Sequence, residues 1–145
     1  MDDAKRRLIA EWLQRARHDL RSAERLMQPP PILDTAVYHY QQAAEKALKG
    51  YLASQNEPIR KTHDLTLLIE RCVDFDSRFN ELVELCEVLT PYGTEFRYPG
   101  SNSLPQNEDA SAALNMARQA LAMVQRIIDE EKTHVQRLGV MLQGI

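Results

Sequence analysis

Apolar residues recur at steps of three and four along almost the whole of this chain, and nowhere does a segment read as a strand. That pattern restricts the fold to helices. Ile9, Leu13, Ala16, Leu20, Ala23 and Met27 form one face of a first helix, expected over about residues 3–28. The prolines at 29–31 end it, because proline lacks an amide hydrogen and disfavours helical geometry in the residue before it. Asp34 is placed to cap a second helix whose apolar face takes Val37, Tyr40, Ala44, Ala47 or Leu48, and Tyr51, and which should stop near Gln55. Thr62 is placed to cap a third helix, with Asp64 in the positive field of its first turn and Leu65, Leu68, Ile69 and Cys72 on its apolar side. Phe79, Leu82, Val83, Cys86 and Leu89 make a fourth helix, which Pro91 kinks or ends. Residues 93–107 hold turn residues without a sustained period and read as a long surface loop. Ala113, Ala117, Ala120, Val124 and Ile127 then define a last long helix.

The expected architecture is an all-α, up-and-down bundle of four to five helices. At 145 residues one domain is the prior, here residues 1–130, with 131–145 as a tail that extends the last helix, packs on a partner or frays. Eighteen basic and 21 acidic residues give a net charge of -3, which excludes a general nucleic-acid coat or polybasic anchor and makes any anion site local. Cys72 and Cys86 lie among apolar residues and match neither a disulfide framework nor C-x-x-C zinc ligands, so they read as reduced core residues. No run reaches the roughly 18 apolar residues of a membrane span, and the N-terminus has no long apolar signal segment. A cytoplasmic location is expected.

The unusual stretch is YHYQQAAEKALKGYL, residues 38–52, which places much polar chemistry in a helix that should be buried. Tyr38, Gln42, Glu45 and Lys49 are spaced four, three and four, and His39, Gln42, Lys46 and Lys49 form an overlapping row. Two readings stand at this point. One is a solvated face in which Glu45 and Lys49 form an i,i+4 pair of a few tenths of a kcal/mol. The other is a site for a phosphate-bearing ligand, built from two ammonium groups, amide donors and tyrosine rings.

The ordered set QQAAEKALK, THDL and RYP, within a likeness that spans about residues 5–130, resembles the HEPN family of small helical domains. The resemblance implies a bundle of four to five helices that tends to dimerise, is often encoded beside a small nucleotidyltransferase, and forms a toxin–antitoxin pair with it in some members. It points to Gln42, Glu45, Lys46 and Lys49 in the second helix, His63 and Asp64 in THDL, and Arg97 and Tyr98 in RYP as ligand-binding residues. Lys46 or Lys49 and Arg97 would supply charge, His63 a donor and Tyr98 a stacking surface. Each has a structural reading as well: His63 and Asp64 organise the start of helix three, and Arg97 pairs with a glutamate of the region 70–95.

The catalytic branch of the family carries arginine, four to six residues, then histidine, for metal-independent RNA cleavage. His18 and His39 have no arginine at that distance; Arg60 is too close to His63; Arg126 precedes His134 by seven intervening residues, slightly too far. There is no P-loop, no G-x-G-x-x-G and no nucleophile elbow. Glu131 and His134 give a single E-x-x-H, where a di-iron bundle needs two and further glutamates. Arg17, Arg21 and Arg25 form a ridge on helix one that is interrupted by Asp19 and Glu24 and reads as a solvated face more readily than as an RNA contact. Nothing calls for a metal or cofactor. The leading expectation is a dimeric, non-catalytic module that binds a nucleotide, a nucleotidyltransferase, or both. The alternatives are an RNase toxin with a divergent active site and a purely structural dimeric scaffold.

Overall fold

The computed structural model describes residues 2–58, 61–93 and 104–144. Among the described residues the fold is an all-α bundle of five helices without strands: α1 (Asp3–Leu26), α2 (Leu33–Ser54), α3 (Leu65–Phe75), α4 (Val83–Leu89) and α5 (Asn107–Gln143). Tight 3-10 turns at Ser77–Leu82 and Thr90–Gly93 flank α4.

The central element is α2. Sixteen of its 22 residues are buried, so it packs on all sides rather than along one stripe. Its alanines let neighbouring helices approach, and Gly50 takes this furthest. A Cβ at Gly50 would sit 3.0 Å from Trp12 Cβ on α1, so the α1–α2 spacing depends on a residue without a side chain. α2 ends where Asn56 adopts φ 62°, a left-handed conformation that asparagine tolerates. Tyr51 of α2 packs on Phe79 with ring centroids 4.6 Å apart. Ala113, Ala117, Ala120, Val124 and Ile127 of α5 close the core from another side.

Several boundaries differ from the expected ones for local reasons. Asp34 is not the cap of α2: Ile32 holds that position without a side-chain bond, and Asp34 lies in the first turn, where its carboxylate accepts from the Thr35 amide and faces the positive helix end. Asp64, not Thr62, caps α3, accepting from the Thr66 amide at 2.9 Å; the Thr62 hydroxyl instead accepts from the Asp64 amide. The fourth helix is split, because the Asp76 carboxylate accepts from the Arg78 amide and opens a 3-10 turn that carries Phe79 and Leu82 before α4 begins. Pro91 lies in the turn after α4 and ends that helix. On α1 the buried row takes Asp19, while Leu20 is only half-buried. At the other end α5 leaves the bundle: beyond Ile128 none of its residues to Gln143 is buried.

Candidate functional site in the α1–α2 seam

The polar residues of α2 point inward. Gln41, Gln42, Glu45 and Lys49 are buried, Glu45 to 3% and Lys49 to 7% exposure, which removes the reading of a solvated face with a weak surface pair. Burial of a carboxylate requires compensation. Glu45 receives it from two sides: Lys49 Nζ donates to Oε2 at 3.2 Å, and His63 Nδ1 lies 2.9 Å from Oε1. The His63 ring itself is mostly in solvent, its side chain 72% exposed. With the proton on Nδ1, its Nε2 is left as an open acceptor.

A second carboxylate repeats the arrangement across the helix interface. Asp19 of α1, 5% exposed, meets His39 Nδ1 at 2.9 Å through Oδ1 and Lys46 Nζ through Oδ2. Each trio thus has one buried carboxylate, one lysine and one imidazole, and α2 supplies a member to every contact. Tyr38 stands edge-on to His39 at 5.3 Å.

The glutamines explain why two separated sequence stretches work together. Gln41 is fully buried, and its amide donates to the carbonyl of His63 at 3.0 Å, while Gln42 donates to the Gln41 side-chain oxygen at 2.7 Å. Glu45 then holds the imidazole of the residue whose backbone Gln41 holds. The second helix therefore fixes the chain before α3 through both main chain and side chain.

A cleft of about 380 Å³ opens beside these groups, lined by Leu8, Trp12 and Arg15 of α1 and by Glu45, Lys46 and Lys49 of α2. Lys49 Nζ stands 6.0 Å from the centre of the Trp12 ring. Trp12 Nε1 is buried and has no acceptor among the described residues. Arg15 is paired with Glu11 at 3.1 Å on the exposed rim. Every cation of the cleft thus has a carboxylate partner, yet an ammonium group has three donors and each lysine spends one on its carboxylate.

Of the residues singled out in the sequence, Gln42, Glu45, Lys49 and His63 come together in one hydrogen-bonded network. Lys46 shares the cleft but turns to Asp19, and Asp64 serves as a helix cap. Arg97 and Tyr98 lie outside the described residues. Asp19, Gln41 and Trp12 were not singled out. Elsewhere, Arg17 donates to Gln125 of α5 at 3.1 Å, and Glu131 accepts from Gln55 at 3.2 Å. No group of three or more His, Cys, Asp and Glu side chains that could hold a metal occurs among the described residues. Cys72 and Cys86 are buried free thiols, and burial pushes the Cys86 thiol up to about 12 and that of Cys72 up as well. No described helix is long and apolar enough to cross a membrane.

The HEPN domain model matches residues 9–127, and the chain belongs to the HEPN family. Among solved structures, TT1696 from Thermus thermophilus is similar at 30% identity over 81% of this chain and 96% of its own, with a TM-score of 0.70. ST0689, an archaeal HEPN homologue, has the same fold at 24% identity over 83% of this chain and 97% of its own, with a TM-score of 0.67. No curated protein matches the chain.

Proposed function

We propose that this HEPN protein is a non-catalytic binding module whose α1–α2 cleft takes a nucleotide by its phosphates. The observation that carries the reading is the convergence of Arg15, Lys46 and Lys49 with the Trp12 ring on one cleft. Phosphate oxygens can take the ammonium donors that Asp19 and Glu45 leave free, and Leu8 and Trp12 give a base an apolar wall. Arg97 and Tyr98 belong to the same proposed ligand set on the strength of the family resemblance. That resemblance also supports a cytoplasmic homodimer that partners a small nucleotidyltransferase in a toxin–antitoxin-like pair.

Calorimetric titration with ATP, GTP and their monophosphates tests this. Micromolar binding, about -8 kcal/mol, that weakens at least about tenfold in Lys46→Ala and Arg15→Ala is expected. No heat from any of them in the folded protein rejects the nucleotide and moves the reading to a protein partner, for which pull-down with a nucleotidyltransferase is the next experiment.

One observation favours a second reading. A buried carboxylate that orients an exposed imidazole, as Glu45 does His63, is the arrangement of a general base. Cleavage of structured RNA in EDTA that disappears in His63→Ala would make the protein a metal-independent RNase with a divergent site and overturn the non-catalytic reading.

A further inference from the structure

In each trio of the α1–α2 seam the lysine and the imidazole hold opposite oxygens of one buried carboxylate. Lys46 donates to Oδ2 of Asp19 while His39 meets Oδ1, and Lys49 donates to Oε2 of Glu45 while His63 meets Oε1. Arg15 and Glu11 form a third pair on the rim. Three cations, Arg15, Lys46 and Lys49, thus stand against three carboxylates, Glu11, Asp19 and Glu45, so with both imidazoles neutral the cleft carries no net charge. The surroundings leave that balance unchanged. Tyr38 stands edge-on to His39, the Asp64 carboxylate beside His63 is turned to the Thr66 amide, Lys61 of opposite sign lies in the same segment, and no residue of α5 lines the cleft. A phosphate that takes the spare ammonium donors therefore brings uncompensated negative charge beside two buried carboxylates. The imidazoles are wired to offset it. A proton on either one turns its hydrogen bond to the carboxylate into an ion pair, and the positive charge of the lysine on the other oxygen becomes available to the phosphate.

We propose that the α1–α2 cleft is charge-matched to one phosphate dianion, that of a nucleoside monophosphate rather than a triphosphate, and that His39 and His63 take up protons as it binds. This rests on the nucleotide reading above and names the ligand class within it. Two imidazolium charges equal the two negative charges that a phosphate monoester carries above its second pKa of about 6. A triphosphate brings more charge than they can balance, and the excess is repelled by Glu11, Asp19 and Glu45, which stay ionised. Size points the same way. At about 380 Å³ the cleft lies at the small end of ligand sites, roughly 300–1,000 Å³, with Leu8 and Trp12 as the wall for a single nucleoside. Because the bound state holds more protons than the free one, affinity falls as rising pH strips the imidazoles of their charge. The larger share of the uptake belongs to His39, whose side chain is 28% exposed against 72% for His63, since solvent screens the more exposed charge.

Calorimetry of the full chain with AMP, GMP, ATP, GTP and inorganic phosphate tests it, at about pH 7.5, without divalent metal, in buffers of different ionisation enthalpy. At that pH the monoester is already a dianion, so proton uptake reports on the protein. Uptake of about one to two protons per monophosphate is expected. The monophosphate should bind at least about tenfold more tightly than its triphosphate and than inorganic phosphate. Between about pH 7 and 8.5 its Kd should rise about tenfold per pH unit for each proton taken up. His39→Gln and His63→Gln, which keep a donor for the carboxylate without titrating, should each lower the uptake, His39→Gln by more. A triphosphate that binds as tightly as its monophosphate overturns the charge match and leaves nucleotide binding standing. Monophosphate binding without proton uptake, or with uptake unchanged in His39→Gln, overturns the role of the imidazoles, and a flat pH profile of the wild type overturns it without any variant. Inorganic phosphate as tight as AMP and GMP overturns the nucleoside. Absence of binding by all five ligands to the folded protein overturns the inference together with the reading on which it rests.

Discussion

The middle of α2 and the last turns of α5 depart from the usual amphipathic helix in opposite directions. α2 buries Gln41, Gln42, Glu45 and Lys49, while the end of α5 exposes Leu138, Met141 and Leu142. Both departures have a free-energy cost, and the difference lies in where it is met. In α2 the buried amide and charged groups find partners within the chain: Glu45 has Lys49 and His63, and Gln41 has the His63 carbonyl. In α5 none of residues 129–143 is buried, so the apolar end has no cover among the described residues. A buried polar network fixes geometry inside one chain, whereas an exposed apolar one fixes nothing until something meets it.

The largest expected effect tests the first half of that contrast. Lys49→Ala leaves Glu45 buried with only the imidazole, and removal of one partner of a buried pair costs about 3–5 kcal/mol. Chemical denaturation should show that loss as a lower midpoint with an unchanged slope. The double variant Glu45→Leu/Lys49→Met should regain most of it, since apolar replacement of both partners is often neutral. If Lys49→Ala proves as stable as the wild type, the pair is solvated in solution and the inward-facing network is wrong. Next in size is Gly50→Val, which drives two methyl groups toward Trp12 Cβ at the α1–α2 contact. Overpacking of this kind costs about 1–3 kcal/mol, and it should also disturb nucleotide binding, because Trp12 and Lys49 flank both the contact and the cleft. A Gly50→Val protein with unchanged stability would mean that α1 is held less closely than the seam requires.

Much of this was legible in the sequence because helix period and punctuation are local signals. The steps of three and four placed the five helices, Pro29 to Pro31 separated the first two, and the core rows of α3 and α5 fell where the period put them. The motif stretches QQAAEK and THDL also named residues that meet in space. What escaped is non-local. Asp19 falls three residues after Ala16 and four before Ala23, a core step occupied by a charge, and that was the available signal for a buried carboxylate. Its partners His39 and Lys46 lie on another helix, and no pattern within α1 could name them. Spacing on α2 alone left Glu45 and Lys49 open to a solvated reading, since an i,i+4 pair looks the same whether a neighbouring helix covers it or not. Thr62 and Asp64 both suit a cap, and only the backbone path decides that Asp64 takes the position. The close approach of α1 to α2 depends on Gly50, whose value as a missing side chain appears only when Trp12 is seen beside it.

The smallest expected effect, that of Leu142→Ala, completes the comparison when the same chemical change is made in α2 as its reference. Leu48→Ala, at a fully buried site of α2, should lose about 2–5 kcal/mol of stability, because the vacated volume leaves its neighbours without contacts. Leu142→Ala removes the same atoms from a side chain that is 72% exposed in the single chain. At concentrations low enough that the chain is monomeric, its effect should stay within about 0.5 kcal/mol. Raising the concentration separates Leu142→Ala from the wild type only where Leu142 lies in an assembly, because mass action then adds the stability of that assembly to the folded state. Two denaturation curves that coincide when dilute and part when concentrated would place the contribution of Leu142 between chains. Curves that already differ by more than about 1 kcal/mol when dilute would place it within one. The end of α5 would then fold back on its own bundle, and its contrast with α2 would be lost.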